Sequence, residues 1–395
     1  MREVFIVSAA RTAIGRFGGT LRTVSARDLA KAAILAALEK AGLKPDQVDE
    51  VIMGEARQST ENANVARVAA LATGIPEEVP AYTINRLCAS AMQALNCGCQ
   101  QIMLGESGIV VVGGTENMSR SPHYLRNGRF GDEELQLIDP NIEGGSRAQP
   151  VETYGSNLGM GQTAENVAEE FHISREDQDL FALRSQELAA RAIAEGKFQA
   201  EIVPVDVMGK KGSVQFAVDE FPRPDTSLVA LAKLKPAFKP GGSVTAGNSC
   251  GRNDGASAMV VMSGDKVKSL GVKPLARVVG IAVAGVSPRV MGIGPVPAVA
   301  KVLDKTGLTL ADIDLIELNE AFAAQALAVI RELSLDLEKI NVNGGAIALG
   351  HPLGSTGTRL IVTLLHEMAR RQSRYGLATL CVGGGQGMAT IVEMV

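Results

Sequence analysis

Short apolar runs alternate with amphipathic stretches along most of this 395-residue chain. The runs VFIVSA, EVIMG, GIVVVGG, ARVVGIAVAG, DLIEL and ATLCVGGG are rich in β-branched residues and nearly free of charge. Such runs predict strands buried on both faces. Between them, apolar residues three and four apart predict helices over 28–41 and 296–306. Alternating strands and helices predict an α/β fold with largely parallel or mixed sheets covered by helices. The pattern changes over about 121–248. There SPHYLRNGRFGDEE, GGSRAQP, FPRPDTS and KPGGS are loop signals. They are interrupted by one helical pair, QTAENVAEEF and REDQDLFALRSQELAARAIAEG.

Part of the pattern occurs twice. DQVDEVIMGEA at 46–56 resembles ADIDLIELNEA at 311–321, each after an amphipathic helix. YTIN at 82–85 then resembles INVN at 340–343, read as strands that end in Asn. IVVVGG at 109–114 resembles TLCVGGG at 379–385. Three matches in one order imply two equivalent α/β units. The expected division is an N-terminal half over 1–120, an inserted loop domain over 121–248 that caps a site and is followed by a return to the N-terminal half, and a C-terminal half over 249–395. The length suits a duplicated unit with an insertion better than one core.

Composition narrows the function classes. Hydrophobic residues are 46% and charged residues 21%, enough to bury a core. Glycine is in excess at 43 residues, with no Trp and 4% aromatics. Backbone can then pack against backbone, and main-chain amides stay within reach of a ligand. A net charge of −4 offers no basic face for nucleic acid. No run approaches the roughly 18–20 apolar residues of a membrane span. Arg11 and Arg16 follow the first short apolar run, which reads as a strand and its turn and not as a secretory signal. The five cysteines, Cys88, Cys97, Cys99, Cys250 and Cys381, are scattered and odd in number. That argues against a disulfide framework and for a reducing, cytoplasmic setting. Cys97 and Cys99 lack the partners of a zinc set and read as small buried thiols.

Three regions could carry chemistry. Cys88, in NRLCASAMQAL, follows a strand and opens a helix, where the helix dipole favours thiolate; alone, such a Cys is as readily structural. His351 lies in GGAIALGHPLGSTG, whose six glycines and prolines exclude an ordinary helix or strand and frame the imidazole. Cys381, in TLCVGGGQGMAT, is delivered by a strand onto a glycine turn whose N–H groups can face a ligand. No βαβ unit or following acidic residue supports a dinucleotide loop there. Asn319 and Glu320, in NEAFA, follow the strand DLIEL. His172 and His366 read as ordinary helix residues, and His123 as a loop residue.

Together NRLCAS, NEAFA, GGAIALGHPLGSTG and CVGGGQGMA resemble, in order, the four catalytic signatures of the thiolase family. The similarity continues through VFIVSAARTAIGRFGG, GMGQTAENVAEEF, LKPAF, TAGN, NDGAS and VMGIGPVPA, and so over essentially the whole chain. It implies a thiolase-like five-layer αβαβα fold of two similar halves with an inserted loop domain. It also implies a homotetramer, a dimer of dimers, that acts on acyl-CoA with no cofactor beyond coenzyme A and no metal. The expected reaction is reversible condensation of two acetyl-CoA to acetoacetyl-CoA, or thiolysis of short 3-oxoacyl-CoA. On this resemblance Cys88 is the acylated nucleophile, His351 its base, and Cys381 the acid/base at the substrate α-carbon. Asn319 holds a water that forms one oxyanion hole with His351; the N–H groups of Cys88 and Gly383 form the other. Arg223 matches the adenine end of coenzyme A. Phe238, Ala246, Cys250, Ala321 and Phe322 match its pantetheine, and Met160 and Met291 the acyl pocket.

The chemistry is consistent with that set. A thiolate both attacks and leaves well, so acyl transfer between sulfurs is nearly balanced. Condensation also needs an enolate, hence donors at two carbonyls, each worth ~3 kcal/mol. The second Cys separates this reading from decarboxylating ketoacyl synthases. Departures from the family pattern are Cys250 and Ala230 in place of frequent Ser, Ala89 and Ala91 in place of Gly, and Gly159 in place of a His common in acetyl-specific members. The last widens the pocket and leaves longer acyl chains open.

Overall fold

The computed structural model describes residues 2–131, 133–209 and 212–395. In chain order the main strands are β1 (Val4–Thr12), β2 (Glu50–Gly54), β3 (Ala81–Ile84), β4 (Ile109–Asn117), β5 (Asn253–Ser263), β6 (Ala276–Gly285), β7 (Leu315–Leu318), β8 (Tyr375–Val382) and β9 (Gln386–Met394). The longer helices are α1 (Ala26–Ala41), α2 (Val65–Ala72), α3 (Ser90–Leu104), α4 (Met160–Glu170), α5 (Arg175–Ala194), α6 (Pro295–Thr306), α7 (Ala323–Glu332) and α8 (Leu353–Arg371).

The strands run in the order β7-β8-β9-β6-β1-β5-β4-β2-β3. The duplication read from sequence is visible in this order. From the edge inward, β2 and β4 are parallel, and β4, β5 and β1 successively antiparallel. Likewise β7 and β8 are parallel, and β8, β9 and β6 antiparallel. The halves join where β1 meets β6, through the pairs Phe5↔Arg277 and Ile6↔Ala276.

Five layers follow from which faces are apolar. Leu29 and Ile34 of α1 and Val65 of α2 cover the outer face of the first half with Val51, Val111 and Val260. Val299 and Val302 of α6 and Val329 of α7 cover the outer face of the second with Leu318 and Ile391. Between the two halves of the sheet lie α3 and α8, where Met92, Leu95, Leu360 and Leu364 meet Val112, Val261, Leu380 and Val392. A helix covered on both sides need not be amphipathic, and α8 buries Thr356, Thr358, Arg359 and Thr363 as well as its aliphatic residues. The close approach of α8 to α3 requires Gly357, where a Cβ would stand 2.4 Å from the Met92 backbone nitrogen. The inserted segment is fastened to β1 by a buried ion cluster. Arg11 meets both carboxylate oxygens of Asp219 at 2.8 and 2.9 Å and Glu201 at 2.6 Å.

Several expectations differ from the structure. INVN is not a ladder strand: Ile340 forms an isolated bridge with Ile316, and Asn341 turns the chain at φ 46°. Its side chain replaces the ladder, accepting from Leu318 N at 2.9 Å and donating to Leu318 O at 2.8 Å. GGAIALGHPLGSTG is partly helical: one turn spans Ala346–Leu349, and LGSTG opens α8. His172 sits in the exposed turn between α4 and α5, at φ 52°. The block 249–395 begins with β5, which pairs with β1 and β4 of the first half. By the repeat, β5 corresponds to β9.

Candidate active site

Cys88 is aimed by a strained turn. After β3 ends at Ile84, a short 3-10 turn, Leu87–Ala89, leads into α3. Leu87 sits at φ 46°, a left-handed conformation that costs a residue with a side chain roughly 1–2 kcal/mol. Hydrogen bonds hold it there. Leu87 N donates to Asn85 Oδ1 at 2.8 Å, and the Ser90 hydroxyl donates to Leu87 O at 2.6 Å. Burial pushes the Cys88 thiol up; the N–H groups of Gly383 and of Cys88 itself, and the charge of Arg57, oppose that rise. The Gly383 N–H therefore faces this sulfur from the turn that joins β8 to β9.

Cys381 is the penultimate residue of β8 and fully buried. Its thiol is raised well above the ordinary range by burial, then by the neighbouring Cys88 and Cys250 sulfurs. Cys250 is pushed up to about 12 by burial and by Cys88. Three thiols far apart in sequence thus surround one space, all protonated at neutral pH.

His351 stands between the Ala346–Leu349 turn and α8. Its backbone N–H donates to Asn253 Oδ1 at 2.9 Å. Its Nδ1 lies 2.7 Å from Thr356 Oγ1, and that hydroxyl donates to Pro352 O at 2.7 Å. With its hydrogen spent on Pro352, Thr356 Oγ1 can only accept from the ring, so Nδ1 carries the proton and Nε2 is bare. Nε2 lies 3.5 Å from Asn319 Nδ2. Burial, then the charge of Arg359, push the imidazole pKa down to about 3. The ring is neutral, and His351 lines the cavity that the thiols share.

Asn319 directly follows β7, fully buried, and among the described residues its Oδ1 has no partner. The next residue, Glu320, ties this loop to the His351 loop. It accepts from Ser185 Oγ at 2.6 Å, Asn341 Nδ2 at 2.8 Å and Ile347 N at 3.2 Å. On the other side, Glu116 of β4 accepts from Gly354 N at 2.8 Å at the start of α8. Both elements carrying His351 and Asn319 are therefore fixed by buried carboxylates.

These groups meet at a cavity of about 670 Å³ lined by Cys88, His351 and Cys381. The same cavity is lined by Arg223, Phe238, Ala246, Cys250, Met160, Met291, Ala321 and Phe322. Phe238 and Phe322 meet edge to face, ring centroids 6.1 Å apart, and the Arg223 guanidinium lies 5.6 Å from the Phe221 ring. Asn319 and Gly383 stand behind the wall, Asn319 against His351 and Gly383 against Leu87 and Met160. His123 is exposed and lies off the cavity. Sequence reasoning missed Thr356, which sets the His351 tautomer, Leu87, and the cavity residues Arg57, Asn141, Gln162 and Arg252. Thr356 lies only five residues beyond His351 in the same motif, a signal open to use; Leu87 has none, because its backbone angle is not encoded by its side chain.

Comparison with known proteins agrees with this geometry. Residues 4–265 match the family model for the thiolase N-terminal domain, and residues 272–394 that for the thiolase C-terminal domain. An acetyl-CoA acetyltransferase of Syntrophomonas wolfei is 51% identical over 398 residues, covering 99% of each chain. A beta-ketoadipyl-CoA thiolase of Pseudomonas aeruginosa is 51% identical over 400 residues, covering 100% of each. The crystal structure of the Bacillus anthracis acetyl-CoA acetyltransferase superposes with a TM-score of 0.97 at 48% identity, over 100% of this chain and 99% of that one. Two thiols and a neutral imidazole meeting where the duplicated halves adjoin, in a chain matched from end to end, place this protein in the thiolase family, as an enzyme that transfers acyl groups.

Proposed function

We propose that this thiolase catalyses the reversible condensation of two acetyl-CoA to acetoacetyl-CoA and CoA, and the thiolysis of short 3-oxoacyl-CoA, through an acyl-Cys88 intermediate. The observation that carries the roles is the bare Nε2 of His351 at a cavity shared by two thiols. In thiolysis, His351 Nε2 takes the Cys88 proton as the sulfur attacks the 3-oxo carbon. The C2–C3 bond breaks, its electron pair goes to the α-carbon of departing acetyl-CoA, and Cys381 protonates that carbon. The Cys381 thiolate then accepts the proton of incoming CoA, whose sulfur takes the acyl group and releases the Cys88 thiolate, which recovers its proton from His351. Because thiol and imidazole both rest neutral, the proton moves as the 3-oxo carbonyl is attacked. The charge that develops on oxygen at Cys88 is met by the N–H groups of Cys88 and Gly383; that at the other carbonyl is met from the His351 and Asn319 side. Nothing beyond coenzyme A takes part.

A second reading, thiolysis of longer 3-oxoacyl chains, is favoured by Gly159, whose Cα faces open space at the cavity. Decarboxylating condensation is disfavoured by a second thiol where that chemistry needs none. Assembly into a homotetramer is supported by the Tyr124–Arg126 and Gln136–Ile138 hairpin, which leaves Leu125, Phe130 and Leu137 at 60%, 82% and 72% exposure. The cytoplasmic setting is supported by five free cysteines, and no helix among the described residues is long and apolar enough to cross a membrane. The deciding experiment is kcat/KM over acyl chain length in both directions, beside Cys88→Ala. We expect the highest values for acetoacetyl-CoA and no acylation in the variant; turnover of Cys88→Ala at wild-type rate would end the reading.

A further inference from the structure

One side-chain hydrogen bond joins the two turns that carry the thiols. Arg86 stands two residues before Cys88, and Gln386 three residues after Gly383. Arg86 Nη1 donates to Gln386 Oε1 at 2.6 Å, although the two lie 300 residues apart in the chain. The other side of the guanidinium is anchored on α3, where Nε donates to Gln93 Oε1 at 2.8 Å. The Arg86 backbone N–H donates to Ser90 Oγ at 2.9 Å, the same hydroxyl that holds Leu87 O. Arg86 thus belongs to the framework that keeps Leu87 left-handed, and it also reaches into the other half of the molecule.

The glycine turn needs such a tie. Gly383–Gly385 links β8 to β9 between the paired residues Val382 and Gln386, with Gly384 at φ 79° and Gly385 at φ 85°. Successive glycines have no side chains to fix them and lose much backbone freedom on folding. Gln386 is the first residue beyond them that can hold the turn by a side chain. Its backbone is itself seated, since a Cβ on Gly294 would stand 2.1 Å from Gln386 O. Gly383 meets the Cys88 turn directly: a Cβ there would lie 3.1 Å from Leu87 Cδ1. Arg86 and Gln386 both stand outside the cavity lining. The two guanidinium contacts are to neutral amide oxygens, so what they supply is direction.

We propose that Arg86 is a positioning residue: its bond to Gln386 keeps the Gly383 N–H beside that of Cys88, so that both donors meet one oxygen as the acyl group enters and leaves Cys88. The inference rests on the mechanism proposed above and adds the device that assembles one of its oxyanion holes. A donor removed from such a hole costs roughly a hundredfold, and one displaced but still present costs less. The test is kcat and KM for acetoacetyl-CoA thiolysis by wild type, Arg86→Met, Gln386→Leu and the double variant. Beside it runs the pH profile of Cys88 alkylation by iodoacetamide, read on the Cys88 peptide by mass. Each single variant should lower kcat about tenfold, with KM within about twofold of wild type. The double variant should be no slower than the slower single one, because both changes break the same bond. The alkylation profile should move to higher pH in all three, as the Gly383 N–H that favours the thiolate moves off. The other groups facing Cys88, which are Arg57, Glu116, Cys250, Cys381 and His351, are unaltered in these variants. Gln386→Leu changes no charge, so a loss it shares with Arg86→Met is not an effect of the arginine's charge. Arg86→Lys, which keeps one donor, should recover part of kcat. Single-variant kcat within about threefold of wild type, losses that multiply in the double variant, or a rise in KM alone overturns the inference and leaves the thiolase reading intact. A wild type that does not cleave acetoacetyl-CoA overturns both. If Arg86→Met fails to fold, Gln386→Leu and its alkylation profile decide.

Discussion

Replacing Thr356 by Val removes one hydroxyl and keeps the side-chain shape. That hydroxyl accepts from His351 Nδ1 at 2.7 Å and donates to Pro352 O at 2.7 Å. Thr356 is fully buried and His351 is 3% exposed, so water does not replace it. The variant leaves the ring N–H without a partner, at a cost of about 1–3 kcal/mol, while Pro352 O keeps the backbone N–H groups of Ser355 and residue 356. The ring escapes that cost by moving its proton to Nε2, which becomes a donor and no longer a base. A penalty of ~1.4–2.8 kcal/mol on the competent tautomer corresponds to roughly a ten- to hundredfold loss of it. We therefore expect Thr356→Val to lower the single-turnover acylation rate of Cys88 by acetyl-CoA roughly ten- to hundredfold, and kcat/KM for acetoacetyl-CoA thiolysis equally. Thr356→Ser, which restores the hydroxyl, should recover most of the loss. A merely structural role would lower the unfolding midpoint and leave acylation intact. Acylation by Thr356→Val within about threefold of wild type would refute the tautomer argument.

Cys381→Ser should still be acylated at Cys88, seen as a mass gain, but fail in condensation; full condensation would remove Cys381 from the proton path. Gly357→Ala places a Cβ 2.4 Å from the Met92 backbone and should cost about 3 kcal/mol by denaturant unfolding, with loss of activity as α3 and α8 separate; an unchanged midpoint would refute the close-packing argument. Burial, then Glu116 and Glu61, raise Glu55 to about 8, so folded Glu55 keeps a proton that the unfolded chain releases above its ordinary pKa of 4.5. Stability from the neutral form is thus lost as pH rises from about 4.5 to 8. Glu55→Gln should unfold like wild type near pH 4.5 and be more stable by on the order of 2 kcal/mol at pH 8.5; a difference independent of pH would contradict the shift.

The alternation of apolar runs with amphipathic stretches was enough to read the α/β class, because strands buried on both faces must be apolar at every position. The repeat was readable because both halves end their strands in similar turns. INVN misled because a side chain can imitate strand pairing: the amide of Asn341 takes the hydrogen bonds a ladder would make. The His351 loop misled in the opposite sense. Gly354 and Gly357 looked like helix breakers, yet serve as points where α8 touches β4 and α3 with no side chain between. Cys88, His351 and Cys381 were legible from their frames, and the structure brings all three to one cavity. Arg57 was not, since a single arginine after EA carries no pattern, and only the fold brings its charge to Cys88.

The joint between the halves is slight as backbone pairing: Phe5 with Arg277 and Ile6 with Ala276, with α3 and α8 laid across the seam. Sulfur and imidazole ride on opposite members of that helix pair. A slippage of a few tenths of an ångström at the seam would misalign proton transfer long before either half melted. Heat or mild denaturant should therefore silence this enzyme while its circular dichroism still looks native, and whatever clamps the seam sets its working temperature.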